Sequence, residues 1–246
     1  MRSSKTTIRW PFATSLVIAA GAGLLTWAAT ASAASLGGAG AGDLLALSAP
    51  QSVPLPLAFD HFDGCGGGLD ASLDVVDNTW AAPSKNWRCR PARSSAHNRD
   101  LGIVGDSATV DLGKSDHVVV STSLERTSRT AGGAGSGLSL FHDGSSHHMY
   151  VVYQRGADQI VVGRIDDAGD TELRSWSWLP RTNSIELVVE IDQPDVRVYA
   201  DGSLLGTHTL SISEVASLGA NTRFGLESDS DRRSRWAWFK AEDITP

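Results

Sequence analysis

The sequence predicts an all-β, two-sheet antiparallel sandwich, and three observations carry that expectation. From Phe59 onward, short runs of alternating apolar and polar residues follow one another too closely for crossover helices, so the strands must pair antiparallel. Turn pairs such as Asp143-Gly144 and Asp201-Gly202 stand between the runs and supply the positive φ that tight hairpins need. Helical character is confined to one short segment near the end of the chain.

Residues 1–33 precede all of this with an export pattern. Arg2, Lys5 and Arg9 come first with no acid among them, then an apolar run from Phe12 to Ala29, then Ala31-Ser32-Ala33. That is the order of a cleavable signal peptide, and cleavage is expected before Ala34. Loss of three basic residues and no acid takes the formal net charge from -7 to -10. An acidic mature chain argues against nucleic acid as partner, since that affinity rests on clustered Lys and Arg. Arg232, Arg233 and Arg235 are the one basic cluster, and they follow Asp229 and Asp231 as a self-neutralising turn. No second apolar stretch of spanning length follows the signal, so the mature form is not expected to span a membrane.

Residues 34–56 are rich in Gly, Ala, Ser and Pro and read as a linker or a weak N-terminal strand; the domain is placed at residues 57–246. Within it the expected strands are Ala108–Leu112, His117–Leu124, Gly137–His142, Met149–Gln154, Gln159–Ile165, Glu172–Trp178, Ser184–Ile191, Val196–Tyr199, Leu204–Leu210, Thr222–Glu227 and Arg235–Phe239. The helical segment is Ser213–Leu218, with Ser213 as N-cap and Gly219 just past the end. Cys65 and Cys89 are the only cysteines, and an even count in an exported chain reads as one disulfide, tying a Gly-rich turn to the segment around Trp87.

The order of these segments resembles the concanavalin A-like, or laminin-G-like, jelly-roll modules of bacterial secreted proteins. The resemblance is carried by Phe59-Asp60-His61-Phe62-Asp63-Gly64, by the hairpin from Gly137 to Tyr153, by Glu186–Asp192, by Val196-Arg197-Val198-Tyr199-Ala200-Asp201-Gly202, and by Arg223–Leu226 before the closing Trp236-Ala237-Trp238-Phe239. It implies two face-to-face sheets, one of them concave, and ligands that are often sugars or protein surfaces. It also implies a structural calcium held between the opening and closing segments, for which Asp60, Asp63 and Asp243 are the available carboxylates.

Catalytic patterns are absent from the text of the chain. In glycoside hydrolases of the resembled fold the carboxylates stand as Glu-x-Asp-x-x-Glu or Glu-x-Asp-x-Glu. Here Glu190-Ile191-Asp192-Gln193-Pro194-Asp195 lacks the second Glu and is broken by Pro194. Gly135-Ser136-Gly137 does not make a nucleophile elbow, and Gly64–Gly68 opens no phosphate-binding helix. His142, His147 and His148 flank one turn and raise the question of zinc, but no Cys or fixed Glu completes a site.

Aromatics offer the candidate binding surface. Period-two alternation places both rings of Trp176/Trp178 on one face, and both of Trp236/Trp238. Trp236/Trp238 are expected to fill the core. Trp176 and Trp178, beside Leu179-Pro180-Arg181, are either core or a sugar-stacking platform, with His147, His148 and Tyr150 as further candidate contacts. The expected function is a secreted, non-catalytic recognition module that binds glycan or another cell-surface partner. The alternatives are a structural surface or fibre-associated protein, or a jelly-roll hydrolase with an unrecognised site.

Overall fold

A computed structural model describes residues 54–63, 69, 79–82, 87–90, 93–98, 106–125, 135–229 and 235–245. The segment read as a signal peptide, most of the segment read as a linker, and Cys65 lie outside the described residues. The strands in chain order are β1 (Leu55–Asp60), β2 (Trp87–Arg90), β3 (Ser95–Asn98), β4 (Asp106–Asp111), β5 (His117–Glu125), β6 (Gly135–His142), β7 (His148–Gln154), β8 (Gln159–Asp166), β9 (Gly169–Ser177), β10 (Ser184–Asp192), β11 (Asp195–Ala200), β12 (Ser203–Thr209), β13 (Arg223–Asp229) and β14 (Arg235–Asp243). One helix, α1 (Ile212–Ser217), separates β12 from β13.

Two antiparallel sheets result. The first runs β12-β11-β10-β5-β14-β3-β2, with β1 also pairing to β14; the second runs β4-β13-β6-β7-β8-β9. The alternation of the sequence becomes two rows of inward side chains. Val118, Val120, Ile185, Leu187, Val189, Ile191, Val196 and Val198 from the first sheet meet Leu138, Leu140, Met149, Val151, Ile160, Val162, Phe224 and Leu226 from the second in one buried cluster. This is the two-sheet antiparallel sandwich that the sequence predicts.

Indole rings join the layers. Trp87 of β2 and Trp236 of β14 pack with centroids 5.0 Å apart. Trp236 Nε1 donates to the Gly137 carbonyl of the opposite sheet at 2.9 Å. Trp87 Nε1 donates to Asp106 of β4 at 3.1 Å, and Asn98 Nδ2 donates to the same carboxyl group at 2.6 Å. Each bond satisfies a polar atom that would otherwise cost free energy in the interior.

The eleven expected strands all form, with ends shifted by up to four residues. Strands β2 and β3 were not expected, and β1 begins at Leu55, inside the segment read as linker or weak strand. The helix is the clearest shift. Its N-cap is Ser211, not Ser213, because Ser211 and Glu214 form a capping box: Ser211 Oγ accepts from Glu214 N at 3.2 Å, and Glu214 Oε2 accepts from Ser211 N at 2.8 Å.

Trp236 and Trp238 do not share a face. In the β14–β5 ladder Trp236 opposes Leu124 and Trp238 opposes Ser123, so Ala237 is an extra residue. Such a bulge inverts the alternation beyond it. Trp236 is fully buried, whereas Trp238 is half-buried on the outer face. Trp236→Ala is therefore expected to destabilise by about 3–5 kcal/mol through the cavity it leaves. Trp238→Ala should cost markedly less, and urea unfolding of the two variants side by side measures the difference.

Candidate functional site

The outer face of the first sheet holds a groove of about 410 Å³ across β10, β5, β14 and β1. Trp238 stands in it because of the bulge. Phe59, Val119 and Val188 give the groove apolar walls, while Ser121, Glu186, Lys240 and Glu242 supply hydrogen-bonding groups. His61 also lines it, its ring edge-on to Phe59 with centroids 4.3 Å apart. Lys240 pairs with Glu242 at 2.8 Å. An aromatic ring among apolar and hydrogen-bonding groups suits a ligand with both CH surfaces and hydroxyls.

The carboxylates considered for hydrolysis continue along the same face in a fixed network. Glu190 Oε1 accepts from Arg197 at 2.6 Å and Oε2 from the Tyr199 hydroxyl at 2.9 Å. Burial, then the bond to Glu190, raises the Tyr199 phenol above its ordinary value. Asp192 lies 3.2 Å from His117 Nδ1 and 3.6 Å from Arg197, and Asp195 lies 3.8 Å from Arg197. Glu190 and Asp195 both approach Arg197, which shields each from the other's charge.

The calcium carboxylates do not converge. Asp60 is buried and its two oxygens accept from Phe62 N and Trp80 Nε1, each at 2.6 Å. Asp243 accepts from Lys114 at 2.6 Å and from Thr245 N at 2.7 Å; the Lys114 bond leads the causes that pull its pKa down to about 2. Asp60 opposes Phe239 and Asp243 opposes Leu55, so the two stand at opposite ends of the β1–β14 ladder, about 13 Å apart. Asp63 is exposed. Among the described residues no group of three His, Cys, Asp or Glu side chains is placed to hold a metal ion.

The histidine hairpin is divided between surface and interior. His147 is half exposed between Asp143 at 3.3 Å and Asp167 at 2.9 Å, and the Asp167 bond raises its pKa. His142 and His148 are buried and stacked, with centroids 4.8 Å apart. His142 Nδ1 accepts from Gly144 N at 2.8 Å, which leaves the proton of the neutral ring on Nε2 and no lone pair for a metal. Burial, then repulsion from His148, lowers the His142 pKa to about 4. For His148 burial also opposes the charge, but Glu227 at 3.1 Å outweighs it and the pKa is raised. Ser107 Oγ donates to the same Glu227 at 2.5 Å.

Tyr150 is turned down onto the second sheet. Its ring covers Gly163, where a Cβ would come within 2.1 Å of Cζ, and its hydroxyl donates to Asp170 at 2.6 Å. Trp176 and Trp178 are half-buried and packed against the core at the sandwich edge. The Trp176 indole lies on the Cα of Gly206 in β12, where a Cβ would sit 2.9 Å from Cζ2. The groove at Trp238 was missed because Trp-Ala-Trp reads as unbroken alternation.

No family model matches the chain, and no curated protein matches it in sequence. Solved structures do match. A carbohydrate-binding module, CBM66, from Bacillus subtilis is 12% identical over 67% of this chain and 95% of its own, with a TM-score of 0.50. The GH43 BlXynB protein from Bacillus licheniformis is 13% identical over 76% of this chain, with a TM-score of 0.53; the match spans 39% of that larger chain. A chain reported as "Prominent members of the human gut microbiota express endo-acting O-glycanases to initiate mucin breakdown" is 12% identical over 77% of this chain and all of its own, with a TM-score of 0.52. Together these define the class by fold: an all-β sandwich of two antiparallel sheets.

The buried histidines set a pH dependence. His142 has a folded pKa below its unfolded 6.5, so the unfolded chain gains the proton first and stability falls as pH drops from 6.5 toward 4. His148 has the opposite sign: its contribution is full below 6.5 and fades as pH rises through its raised folded value. His142→Asn keeps an acceptor near Nδ1 but cannot titrate. Melting curves between pH 7 and 4 should show a smaller loss of Tm in that variant than in the wild type.

Proposed function

We propose that this chain is an exported, non-catalytic module that binds carbohydrate in the groove around Trp238. The observation that carries the reading is the bulge at Ala237, which takes a large aromatic ring out of the core and sets it on an open sheet face among hydrogen-bonding side chains. Sugar rings combine apolar CH faces with hydroxyl edges, so they match that mixture. The similarity to a carbohydrate-binding module supports the reading at the level of fold. Among the described residues no helix is long and apolar enough to cross a membrane.

Export and one disulfide belong to the same reading. Cys89 is buried, with Sγ 2.9 Å from the Phe62 carbonyl oxygen, which sets it beside the segment that leads to Cys65. Mass spectrometry of the exported protein under non-reducing conditions should find Ala34 at the N-terminus and no alkylatable thiol. Cys65→Ala should cost about 2–5 kcal/mol. Two reactive cysteines in the native mature chain would remove the disulfide.

Binding is tested by retention on insoluble polysaccharides and on a glycan array. Trp238→Ala should abolish retention while changing Tm little, and incubation with wild type should release no reducing ends. Undiminished retention by a folded Trp238→Ala protein would overturn the groove as the site.

A further inference from the structure

A second cavity, of about 290 Å³, lies where the loop after β9 meets the β11–β12 turn; Trp178, Leu179 and Arg181 line it from the loop, and Asp201 and Ser203 from the turn. It adjoins the Trp238 groove. Asp201 Oδ1 accepts from Glu186 N at 2.9 Å and Asp201 N donates to Glu186 O at 2.9 Å, and Glu186 lines the groove. The turn is preset for this, with Asp201 at φ 46°.

The chemistry of the cavity is balanced and unspent. Arg181 is exposed and pairs with no carboxylate among the described residues. Trp178 Nε1 is buried and has no hydrogen-bond partner among the described residues. Asp201 uses one carboxyl oxygen on Glu186 N, which leaves the other free to accept, and Leu179 is 67% exposed as an apolar wall. An anion placed here would meet Asp201, and a cation would meet Arg181. A neutral polyol satisfies both: one hydroxyl oxygen accepts from Arg181 while its neighbour donates to Asp201, and a CH face lies against Leu179 and Trp178. The cavity is slightly smaller than the roughly 300–1,000 Å³ of sites for drug-sized ligands, which fits one sugar ring rather than a chain.

We propose that this edge cavity is a terminal subsite: it takes the neutral end sugar of a glycan whose preceding residues lie in the Trp238 groove. The proposal rests on the carbohydrate reading of that groove and adds end recognition to it. Selectivity then comes from the Arg181 and Asp201 pair, and stacking energy from Trp238.

The test uses the mature protein and an array of neutral xylo-, gluco-, manno-, galacto- and fructo-oligosaccharides, followed by calorimetry with the tightest binder. Arg181→Ala and Asp201→Asn are each expected to weaken binding by about tenfold or more, as loss of a hydrogen bond to a charged group does. Asn keeps the acceptor for Glu186 N and tolerates positive φ, and Arg181 is exposed, so unchanged Tm values verify both folds. Mild fragmentation of the matching polysaccharide should raise the protein bound per mass of sugar, because it multiplies chain ends. Wild-type binding by both variants with loss in Trp238→Ala overturns the subsite and leaves the groove. Loss in both with wild-type binding by Trp238→Ala overturns the groove and its link to this cavity. Binding that is indifferent to fragmentation overturns end recognition, and failure of the wild type to bind any array member overturns both readings.

Discussion

One extra residue in β14 governs both the interior and the outer face of this protein. β14 pairs with β5 along one side and with β1 and β3 along the other, so its alternation is locked by three neighbours. The bulge at Ala237 lets a Trp-x-Trp segment serve two environments. Trp236 points inward, stacks on Trp87 and bonds the opposite sheet through Gly137. Trp238 points outward into the groove. Without the bulge one of the two rings would have to leave its place, and either the layer contact or the groove would be lost.

Buried carboxyl groups act mainly as anchors for donors that the sandwich must bury. Asp60 takes the Trp80 indole and the Phe62 amide, and Asp106 takes Trp87 and Asn98. Glu227 takes Ser107 and faces His148 on the outer face of the second sheet. The ladder positions around that pair are Gly225, Gly137 and Ser139, small enough for two long side chains to lie along the sheet. The same logic accounts for Gly163 under the Tyr150 ring and Gly206 under the Trp176 indole, where any Cβ would collide. Polar satisfaction and small residues are thus coupled: each inward or flattened polar group needs both a partner and space.

The fold was legible because strand alternation and Asp-Gly turns are local signals. Strands β2 and β3 escaped because Ser95, His97 and Asn98 are polar yet buried, and Asn98 is held by Asp106, a partner that no periodicity reveals. The candidate surface was less legible. Of the residues expected to contact a ligand, Trp178 lines a cavity at the sandwich edge, while the Tyr150 hydroxyl bonds Asp170 and His148 faces Glu227. Asp60 looked like a metal ligand from its place in the opening segment, and its burial against Trp80 could not be read from that place.

The sequence by itself determined the strands from β4 onward, the hairpins at Asp143-Gly144 and Asp201-Gly202, and the two-sheet class, because each follows from φ preferences and period-two burial within a few residues. Tertiary structure alone decided which face each aromatic ring occupies. A bulge is defined by the partner strand: Ala237 is extra only because Leu124 and Ser123, far away in the chain, pair with the residues on either side of it. A one-residue slip inverts every side chain beyond it, so the outward placement of Trp238, and with it the groove, depends on a pairing that no local pattern encodes.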